Sequence, residues 1–397
     1  MKIQLVELEN ICTSITDGTH YTPPSLGSGI PFLTVKDMTE DGLNFSSCSF
    51  MSEDEYEKAK RGKSSPQVGD VLFSKDGTVG KIHVVRESRE FAVLSSIAIL
   101  TPNSNIADSE YLGRILATQQ ILDEATKRKT GSAIRRIILK DLKQVKIPLP
   151  PIAQQKRIAA ILDKADAVRR KRREAIRLTE ELLRSTFLEM FGDPVTNSKK
   201  WEIIPLDELA EIQSGVAKGK KINPDIAIEV DYMRVANIQD GYIDLSEVKK
   251  ISIDKKDLTR YLLKQGDVLL TEGGDPDKLG RGSVWDGCIN PCIHQNHIFC
   301  VRPNSDALLP EFLSSLIGSE RGKRYFLRAA KQTTGIATIN KTQLKNFPVM
   351  LPPVDLQKKY SNFVQRMKHM QVHRNWQSQN FDDLFNSLLQ RAFTGNL

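Results

Sequence analysis

The sequence has no long apolar run and few cysteines. No stretch approaches the ~18 consecutive apolar residues of a membrane-spanning helix, and the opening MKIQLVELEN has no apolar core of signal-peptide length. The five cysteines among 397 residues are an odd number without paired spacing, which favours reduced thiols over a disulfide framework. We therefore expect a cytoplasmic protein with two or three domains.

Recognisable catalytic motifs are also missing. Residues 77–81 (GTVGK) have some likeness to a phosphate loop but lack its spacing, and Ile82 stands where a Mg²⁺-binding hydroxyl would be. One group of thiols and imidazoles has metal-ligand chemistry: Cys288, Cys292, His294, His297 and Cys300. This group has no C-x-x-C knuckle and alternates like a strand, so we interpret its members as packing residues. The sequence therefore predicts no catalytic, metal or cofactor site in this chain.

The charge balance is basic. Lys and Arg total 57 against 49 Asp and Glu, giving a formal net charge of +8 and a pI of about 9.1. In a chain of this size such an excess favours a polyanionic partner only weakly.

A long helical stretch organises the chain, and it occurs twice. Residues 149–191 open with Leu149-Pro150-Pro151 and then contain no Gly or Pro, while Ala, Leu, Glu, Lys and Arg dominate. Proline suits only the first turn of a helix, so the pair marks its start. The same opening returns as Leu351-Pro352-Pro353, with Gln155 matched by Gln357. We predict two long helices, 152–191 and 354–393.

Apolar residues on both helices follow a 3-4 spacing at matching phase. In the first helix they include Ile158, Ile161, Ala165, Val168, Ala175 and Leu182. In the second they are Tyr360, Phe363, Met367, Met370, Phe381, Leu384 and Leu388. This pattern predicts that the two helices pair with each other as a two-stranded coiled coil. Two unrelated amphipathic helices, each buried on its own domain, are the alternative.

The repeat extends to the segments before each helix. Residues 32–35 (FLTV) match 232–235 (YMRV), and 68–73 (VGDVLF) match 265–270 (QGDVLL). Short β-branched or aromatic runs predict strands at 30–35, 70–73, 91–100, 231–235, 267–270 and 297–301. Helices are predicted at 109–127 and 310–330. The fold class is therefore α+β, with two loop-rich domains at 1–149 and 193–351, and long helices within 150–192 and 352–397.

The loops carry the residues with binding chemistry. Lys and Arg neutralise phosphates, while Arg, Asn and Gln contact base edges, and Gly-rich turns let the backbone approach closely. The candidates for nucleic-acid contact in the first half are Lys36, Lys75, Thr78, Lys81, Arg135 and Arg136. In the second half they are Asn237, Lys278, Arg281, Lys331, Thr334, Asn340 and Lys341. Ordinary solvated hairpin loops would carry similar residues.

Together these motifs give a specific resemblance. Two loop-rich domains, each closed by a helix that opens LPP-x-x-x-Q, resemble the DNA specificity subunit of type I restriction–modification systems. Residues 17–23 (DGTHYTP) resemble a turn of that family's recognition domains, which adds His20 and Tyr21 as DNA-binding candidates. Residues 295–297 (QNH) are similar to another family segment. The second half has SGVAKG at 214–219 instead of the turn, so the halves should read different sequences.

The resemblance implies a non-catalytic subunit that reads a two-part double-stranded DNA target. It also implies that the two long helices run antiparallel in their coiled coil. It would direct two modification (methyltransferase) subunits and restriction (translocase and nuclease) subunits to that target. S-adenosylmethionine, ATP and Mg²⁺ would be used by those partners. The alternatives are a specificity subunit of a type II-like or phage-defence methyltransferase system, and a coiled-coil scaffold that binds protein.

Overall fold

Two compact units make up the protein. The computed structural model describes residues 4–39, 42–126, 137–217, 223–275, 279–304, 306–333, 336–370 and 387. The described part of unit 1 lies within residues 4–173, together with residue 387, and that of unit 2 within residues 174–370. Each unit mixes strands and helices, as the α+β pattern predicts.

The first strand of unit 1 pairs with the last strand before the long helix. Its strands are β1 (Gln4–Glu7), β2 (Cys12–Asp17), β3 (Ile30–Leu33), β4 (Met38–Thr39), β5 (Gly42–Leu43), β6 (Ser49–Met51), β7 (Val71–Ser74), β8 (Ile82–Val84), β9 (Ala92–Val93), β10 (Ile97–Pro102) and β11 (Lys146–Leu149). Its helices are α1 (Glu53–Arg61), α2 (Ser109–Leu116), α3 (Gln119–Thr126), α4 (Leu139–Lys143) and the first part of α5 (Ile152–Phe191).

Unit 2 repeats this order. Its strands are β12 (Glu202–Pro205), β13 (Ala210–Ser214), β14 (Ala227–Met233), β15 (Lys249–Asp254), β16 (Val268–Thr271), β17 (Gly273–Gly274), β18 (Gly282–Val284), β19 (Cys292–His294), β20 (Ile298–Pro303), β21 (Lys331–Thr333), β22 (Ile336–Thr338) and β23 (Pro348–Leu351). Its helices are α6 (Leu206–Leu209), α7 (Leu258–Tyr261), α8 (Pro310–Gly318), α9 (Glu320–Ala329), α10 (Lys341–Lys345) and α11 (354–370).

Two sheets of each unit have the same topology. A four-stranded sheet has the order β2-β10-β7-β8 in unit 1 and β13-β20-β16-β18 in unit 2. A three-stranded sheet has the order β6-β3-β9 in unit 1 and β15-β14-β19 in unit 2, with one antiparallel and one parallel pairing in each. The predicted internal repeat is therefore a repeat of structure as well as of sequence.

A glycine at the end of one strand in each unit permits a close backbone approach. A Cβ atom on Gly18 would lie 2.0 Å from the carbonyl oxygen of Val93, and one on Gly215 would lie 2.0 Å from that of His294. Atoms without a covalent bond cannot approach so closely, so any other residue would push the two segments apart. These glycines hold the three- and four-stranded sheets of each unit against one another.

Each unit has its own apolar core, in which the central strands of the four-stranded sheet are buried. Val71, Leu72 and Phe73 on β7 are fully buried, as are Val268 and Leu269 on β16. The β7–β10 pair and the β16–β20 pair are antiparallel. Helices α2 and α8 pack on these sheets through residues such as Leu112 and Leu313.

Helix α5 has the bounds that the sequence predicts. Near its start, Ile158 and Leu162 lie in the core of unit 1, and near its end, Phe187 and Phe191 lie in the core of unit 2. Within the described chain, no helix combines the length and apolar character needed to span a bilayer. Phe187 and Phe191 near the end of α5 contact Tyr360 near the start of α11, with ring centroids 5.6 and 5.3 Å apart. Residues 371–386 and 388–397 lie outside the described residues, so pairing along the rest of the two helices and the end of the second at 393 stay predictions.

Three of the predicted elements are wrong in detail. The predicted strand 91–100 is two strands, β9 and β10, which belong to different sheets and are separated by a turn at Leu94–Ser96. The predicted helix 310–330 is divided between α8 and α9 because the extended Ser319, which follows Gly318, interrupts it. The predicted helix 109–127 is likewise two helices, α2 and α3, with Ala117 and Thr118 between them.

One histidine is enclosed in the core of unit 2. His294 on β19 is fully buried, and neither ring nitrogen has a hydrogen-bond partner among the described residues. Burial lowers the pKa of His294 to about 4, because the charged imidazolium would have no water around it. Val93 on β9 occupies the matching position in unit 1 and is also fully buried.

We predict that His294→Val reduces the acid sensitivity of unit 2. The folded state holds the imidazole neutral, so stability is fully present above the unfolded pKa near 6.5 and falls as the pH drops toward 4. The loss amounts to at most about 3 kcal/mol. Urea unfolding of the wild type and the variant at pH 7.5 and 5.0, followed by tryptophan fluorescence, measures it, because Trp285 is buried in unit 2.

His20→Val, which changes an exposed histidine of unit 1, is the control and should retain the wild-type acid sensitivity. An equal loss of stability on acidification in the wild type and in His294→Val would contradict the prediction.

Candidate nucleic-acid interface

In unit 1, the ends of two strands and the start of a third meet at one edge of the four-stranded sheet. Asp17 ends β2, Lys75 follows β7, and Ser96 precedes β10. The backbone N–H of Lys75 donates to the carbonyl of Ser96 at 2.9 Å. The ammonium of Lys75 lies 3.2 Å from the Asp17 carboxylate and 3.6 Å from that of Asp76. Lys75 is only 2% exposed, so its charge is neutralised inside the unit.

The turn after β2 presents two of the predicted DNA-binding residues to solvent. His20 is exposed, and its Nε2 lies 3.2 Å from Asp17 Oδ1. Tyr21 is 48% exposed, and its hydroxyl donates to Glu55 at 2.6 Å. That hydrogen bond is the main reason why the pKa of Tyr21 is raised. Both side chains can exchange these partners for a DNA group at the surface.

The remaining described candidates of unit 1 divide into free and committed side chains. Lys36 and Thr78 are exposed. Lys81 is half-buried, and its ammonium donates to the carbonyls of Val35 at 3.0 Å and Met38 at 2.6 Å. Lys81 therefore ties the loop after β3 to the loop after β7, and Lys36 is the more accessible cation.

In unit 2, the same sheet edge carries different side chains. Glu272 follows β16, and its N–H donates to the carbonyl of His297, as that of Lys75 does to Ser96. The Glu272 carboxylate lies 2.8 Å from Nδ1 of His297. The side chains of Glu272 and His297 are 31% and 58% exposed, and Asn296 Nδ2 lies 3.4 Å from His297 Nε2. A carboxylate accepts from base amino groups, so this partly exposed pair has base-reading chemistry.

A hairpin stands beside this edge of unit 2. Strands β21 and β22 pair with each other, and β22 pairs with β17, which directly follows Glu272. Gly273 is required there, since a Cβ would lie 2.7 Å from the Thr338 side chain. Ile339 donates its N–H to the carbonyl of Glu272 at 2.9 Å. The hairpin therefore lies next to the sheet edge that carries Glu272.

The hairpin and the helix after it expose three of the predicted residues. Lys331, Asn340 and Lys341 are exposed, and Arg281 is partly buried. Asn340 caps α10, because its side chain accepts from the N–H of Gln343 at 2.9 Å. Of these residues, Lys331 and Lys341 present free-standing charge of the sign that suits phosphate.

Asn237 is an internal residue. It is 3% exposed. Its amide oxygen accepts from the N–H of Arg234 at 2.9 Å, and its amide nitrogen donates to the carbonyls of Asp244 and Glu247 at 2.8 and 3.1 Å. Asp37 makes the corresponding bond in unit 1, accepting from the N–H of Thr34 at 2.7 Å. With its hydrogen-bonding groups engaged in this turn, Asn237 has little capacity left for DNA.

Four predicted residues cannot be placed. Arg135, Arg136, Lys278 and Thr334 lie outside the described residues. Of the remaining candidates, the structure brings His20 and Lys75 together around Asp17, and it brings Lys331 and Asn340 onto segments that join Glu272.

The cysteine and histidine group of the second half separates into buried and exposed members. Cys292, His294 and Cys300 are buried in strands, while Cys288 and His297 are exposed. No group of three or more His, Cys, Asp or Glu side chains in the described chain is arranged to hold a metal ion. Burial raises the pKa of the Cys292 thiol to about 12, which favours its neutral form.

Sequence reasoning missed Glu272 and His297. The signal lay in the repeat itself: aligning VGDVLFSK with QGDVLLTE places Glu272 opposite Lys75, one of the predicted residues. His297 entered the sequence analysis as a metal-ligand candidate and within the QNH segment, and its pairing with Glu272, 25 residues away, has no local sequence signal.

Comparison with known proteins gives consistent results. The family model described as "Type I restriction modification DNA specificity domain" matches residues 2–178 and again residues 198–375. The crystal structure of a type I restriction–modification S subunit from M. genitalium superimposes with a TM-score of 0.62, covering 98% of this chain and 96% of the other. At 13% sequence identity this likeness is one of fold.

The curated relatives match this chain over only part of their own length. The EcoKI specificity subunit of Escherichia coli K12 is 22% identical over 315 residues, which is 73% of this chain and 66% of the relative. The StySPI specificity subunit of Salmonella potsdam is 21% identical over 72% of this chain and 65% of the relative. A putative MjaX specificity subunit of Methanocaldococcus jannaschii is 24% identical over 49% and 45%. The matches thus span about half to two thirds of the relatives' length.

We predict that Lys75→Ala mainly lowers the stability of unit 1, whereas Lys36→Ala mainly changes DNA binding. Removing the buried ammonium leaves Asp17 without its main counter-charge and should destabilise unit 1 by about 3–5 kcal/mol. Lys36 is exposed, so its removal should change stability by less than about 0.5 kcal/mol. It should instead lower the slope of log affinity against log salt by about one.

Denaturant unfolding and DNA-binding titrations at several salt concentrations measure the two effects. A Lys75→Ala protein with wild-type stability and a reduced salt slope would show that this ammonium contacts phosphate instead.

Proposed function

We propose that this chain, which belongs to the family of type I restriction–modification DNA specificity subunits, reads a two-part DNA target, with one half-site assigned to each unit. The observation that carries the proposal is the repeated four-stranded sheet with unlike side chains at the same edge. Lys75 and Ser96 stand in unit 1 where Glu272 and His297 stand in unit 2. Two units with the same backbone arrangement but different polar groups at this edge are suited to recognising two different DNA sequences.

Members of this family are the non-catalytic, DNA-recognising subunits of their systems. For this chain we infer that the partners are two modification subunits, and restriction subunits where a system has them. S-adenosylmethionine, ATP and Mg²⁺ would act in those partners, and the complex would work in the cytoplasm on double-stranded DNA. The net charge of +8 supports a polyanionic partner.

The same inference divides the chain by task. Residues 1–149 and 193–351 are the two recognition domains, and residues 150–192 and 352–397 hold the two long helices. The end of β11 at Leu149 and the start of α5 at Ile152 support the first boundary. We propose that the two helices pair in antiparallel fashion and so hold the two readers at a set distance.

In this proposal, different residues contact the phosphates and the bases. The exposed cations Lys36, Lys331 and Lys341 contact phosphates, which sets position without reading sequence. The partly exposed pair Glu272 and His297 reads a base edge, because its carboxylate accepts from an adenine or cytosine amino group. The backbone hydrogen bond between these two residues holds them in place.

We predict that Glu272→Ala and His297→Ala relax the same base position in one half-site. A good base contact contributes about 1–3 kcal/mol of discrimination, so preference at that position should fall roughly tenfold or more. The other half-site and the spacer should stay unchanged, because unit 1 is not altered. Mapping methylated adenines in cells that express the chain with its methyltransferase provides the measurement.

Glu202→Ala, which removes an exposed carboxylate on β12, is the matched control and should leave the target unaltered. Unchanged half-sites in both Glu272→Ala and His297→Ala, or a change in both half-sites together, would refute the assignment of this pair.

We also predict that lengthening α5 lengthens the unread spacer. Seven residues inserted after Ala175 keep the 3-4 apolar spacing in phase and extend the helix by about 10 Å. At roughly 3.4 Å per base step, the spacer should grow by up to about three base pairs. The same methylation mapping tests this, with unchanged half-site sequences as the internal control. An active insertion variant with the original spacer would show that α5 does not set the separation.

A further inference from the structure

The first turn of α5 carries a glutamine whose side chain is enclosed in unit 1. Gln155 is 0% exposed. Its Oε1 accepts from the N–H of Asp108 at 2.9 Å, and its Nε2 donates to the carbonyls of Ile106 and Pro150 at 2.9 and 2.8 Å. Both amide hydrogens and the amide oxygen are therefore bonded to backbone groups. We call this arrangement the glutamine clamp.

Unit 2 contains the same clamp at the start of α11. Gln357 is also 0% exposed. Its Oε1 accepts from the N–H of Leu309 at 2.9 Å, and its Nε2 donates to the carbonyls of Ala307 and Pro352 at 2.7 and 2.8 Å. The three partners are the counterparts of those in unit 1, and all six distances agree within a few tenths of an ångström.

Each clamp joins three separate parts of its unit. Pro150 directly follows β11, and Asp108 is the N-cap residue of α2, which packs on the four-stranded sheet. Gln155 itself belongs to the long helix. One side chain thus connects the end of β11, the start of α2 and the first turn of α5. Since its partners are backbone groups, substitution of neighbouring side chains does not remove these bonds.

The other polar contacts between the same helices differ from unit to unit. In unit 1, Arg114 on α2 donates to Asp163 on α5 at 3.0 and 2.7 Å. In unit 2, the Tyr360 hydroxyl donates to Ser315 at 3.0 Å, and Gln365 donates to Glu311 at 2.8 Å. The ion pair of one unit is thus replaced by neutral or charge-assisted bonds in the other, while the clamp keeps the same three bonds.

We propose that Gln155 and Gln357 are positioning residues that set the angle between each recognition unit and its long helix, and thereby the spacer length that the complex accepts. This inference rests on the proposed function. A 40-residue helix is about 60 Å long. A rotation of about 3° at its first turn therefore displaces the far end by roughly 3 Å, close to one base step. Spacer length should thus be more sensitive to the clamp than half-site sequence is.

The test replaces the clamp with an apolar side chain of similar length. Gln155→Met and Gln357→Met keep the volume but leave two carbonyls and one N–H without partners. We expect both half-site sequences to persist while sites with spacers one base pair longer or shorter become methylated. Displacements of about 1 Å lower rates by up to about a hundredfold in positioned complexes. Methylation at the original spacing should therefore fall roughly ten- to a hundredfold.

Gln154→Met is the matched control, since it alters a half-buried glutamine on the same turn and should preserve spacer discrimination. Gln155→Asn is a milder second variant, which keeps the primary amide but shortens the side chain by one methylene group. Thermal unfolding and half-site sequences report whether each variant folds.

A folded Gln155→Met protein with wild-type spacer discrimination would overturn the proposal. Failure of all clamp variants to fold would overturn it as well, because the glutamines would then be needed for folding rather than for position. The proposed function fails separately: in that case the wild-type chain with its methyltransferase produces no two-part methylated site at all.

Discussion

The register of one antiparallel strand pair determines where the polar groups of each unit stand. In unit 1, β10 pairs with β7 so that Ile97 lies opposite Ser74, and in unit 2, β20 pairs with β16 so that Ile298 lies opposite Thr271. Strands β7 and β16 are buried on both faces, with alternate residues in two different apolar clusters. A slip of one residue would therefore move each side chain into the other, differently packed cluster. This constraint brings the residue after one strand next to the residue before the other, whatever those residues are.

The two units carry differently charged side chains at the equivalent positions of this strand pair. Unit 1 neutralises a buried ammonium with the carboxylate of Asp17, whereas unit 2 pairs Glu272 with an exposed imidazole. Behind the sheet, Arg302 donates twice to the buried Asp267, both at 2.7 Å. That hydrogen-bonded carboxylate raises the pKa of Arg302. Thr101 occupies the position of Arg302 in unit 1, so the same aspartate position, Asp70, has a neutral neighbour there. The shared sheet therefore tolerates different charges at equivalent positions of the two units.

The sequence was most informative where a signal is local or repeated. The bounds of α5 follow from the Pro150-Pro151 start and from good helix formers up to Gly192, and the repeated GDV strands show that one topology occurs twice. The break between α8 and α9 was missed, because a single Gly318 in an apolar pattern is compatible with one long helix. The split of 91–100 was missed because its two strands have partners in different sheets.

The roles of individual polar side chains were least predictable. Lys81, Asn237 and Lys75 all look like surface residues in a basic loop, yet their partners are backbone carbonyls or carboxylates. Those partners are distant in sequence for Lys81 and Lys75, so no local pattern reveals them. Residue type alone therefore overestimates the number of side chains available to DNA, and exposure in the folded unit is the better guide.

The same reasoning explains why a glutamine, rather than a charged residue, stands at the start of each long helix. The site offers two carbonyls and one N–H, and a primary amide is the side chain that supplies two donors and an acceptor without a charge. A lysine there would leave the N–H unbonded and bury an ammonium, while an ionised glutamate would face two carbonyl oxygens. The amide satisfies every group at no electrostatic cost, so the joint between sheet and helix stays the same while the charges around it differ between the units.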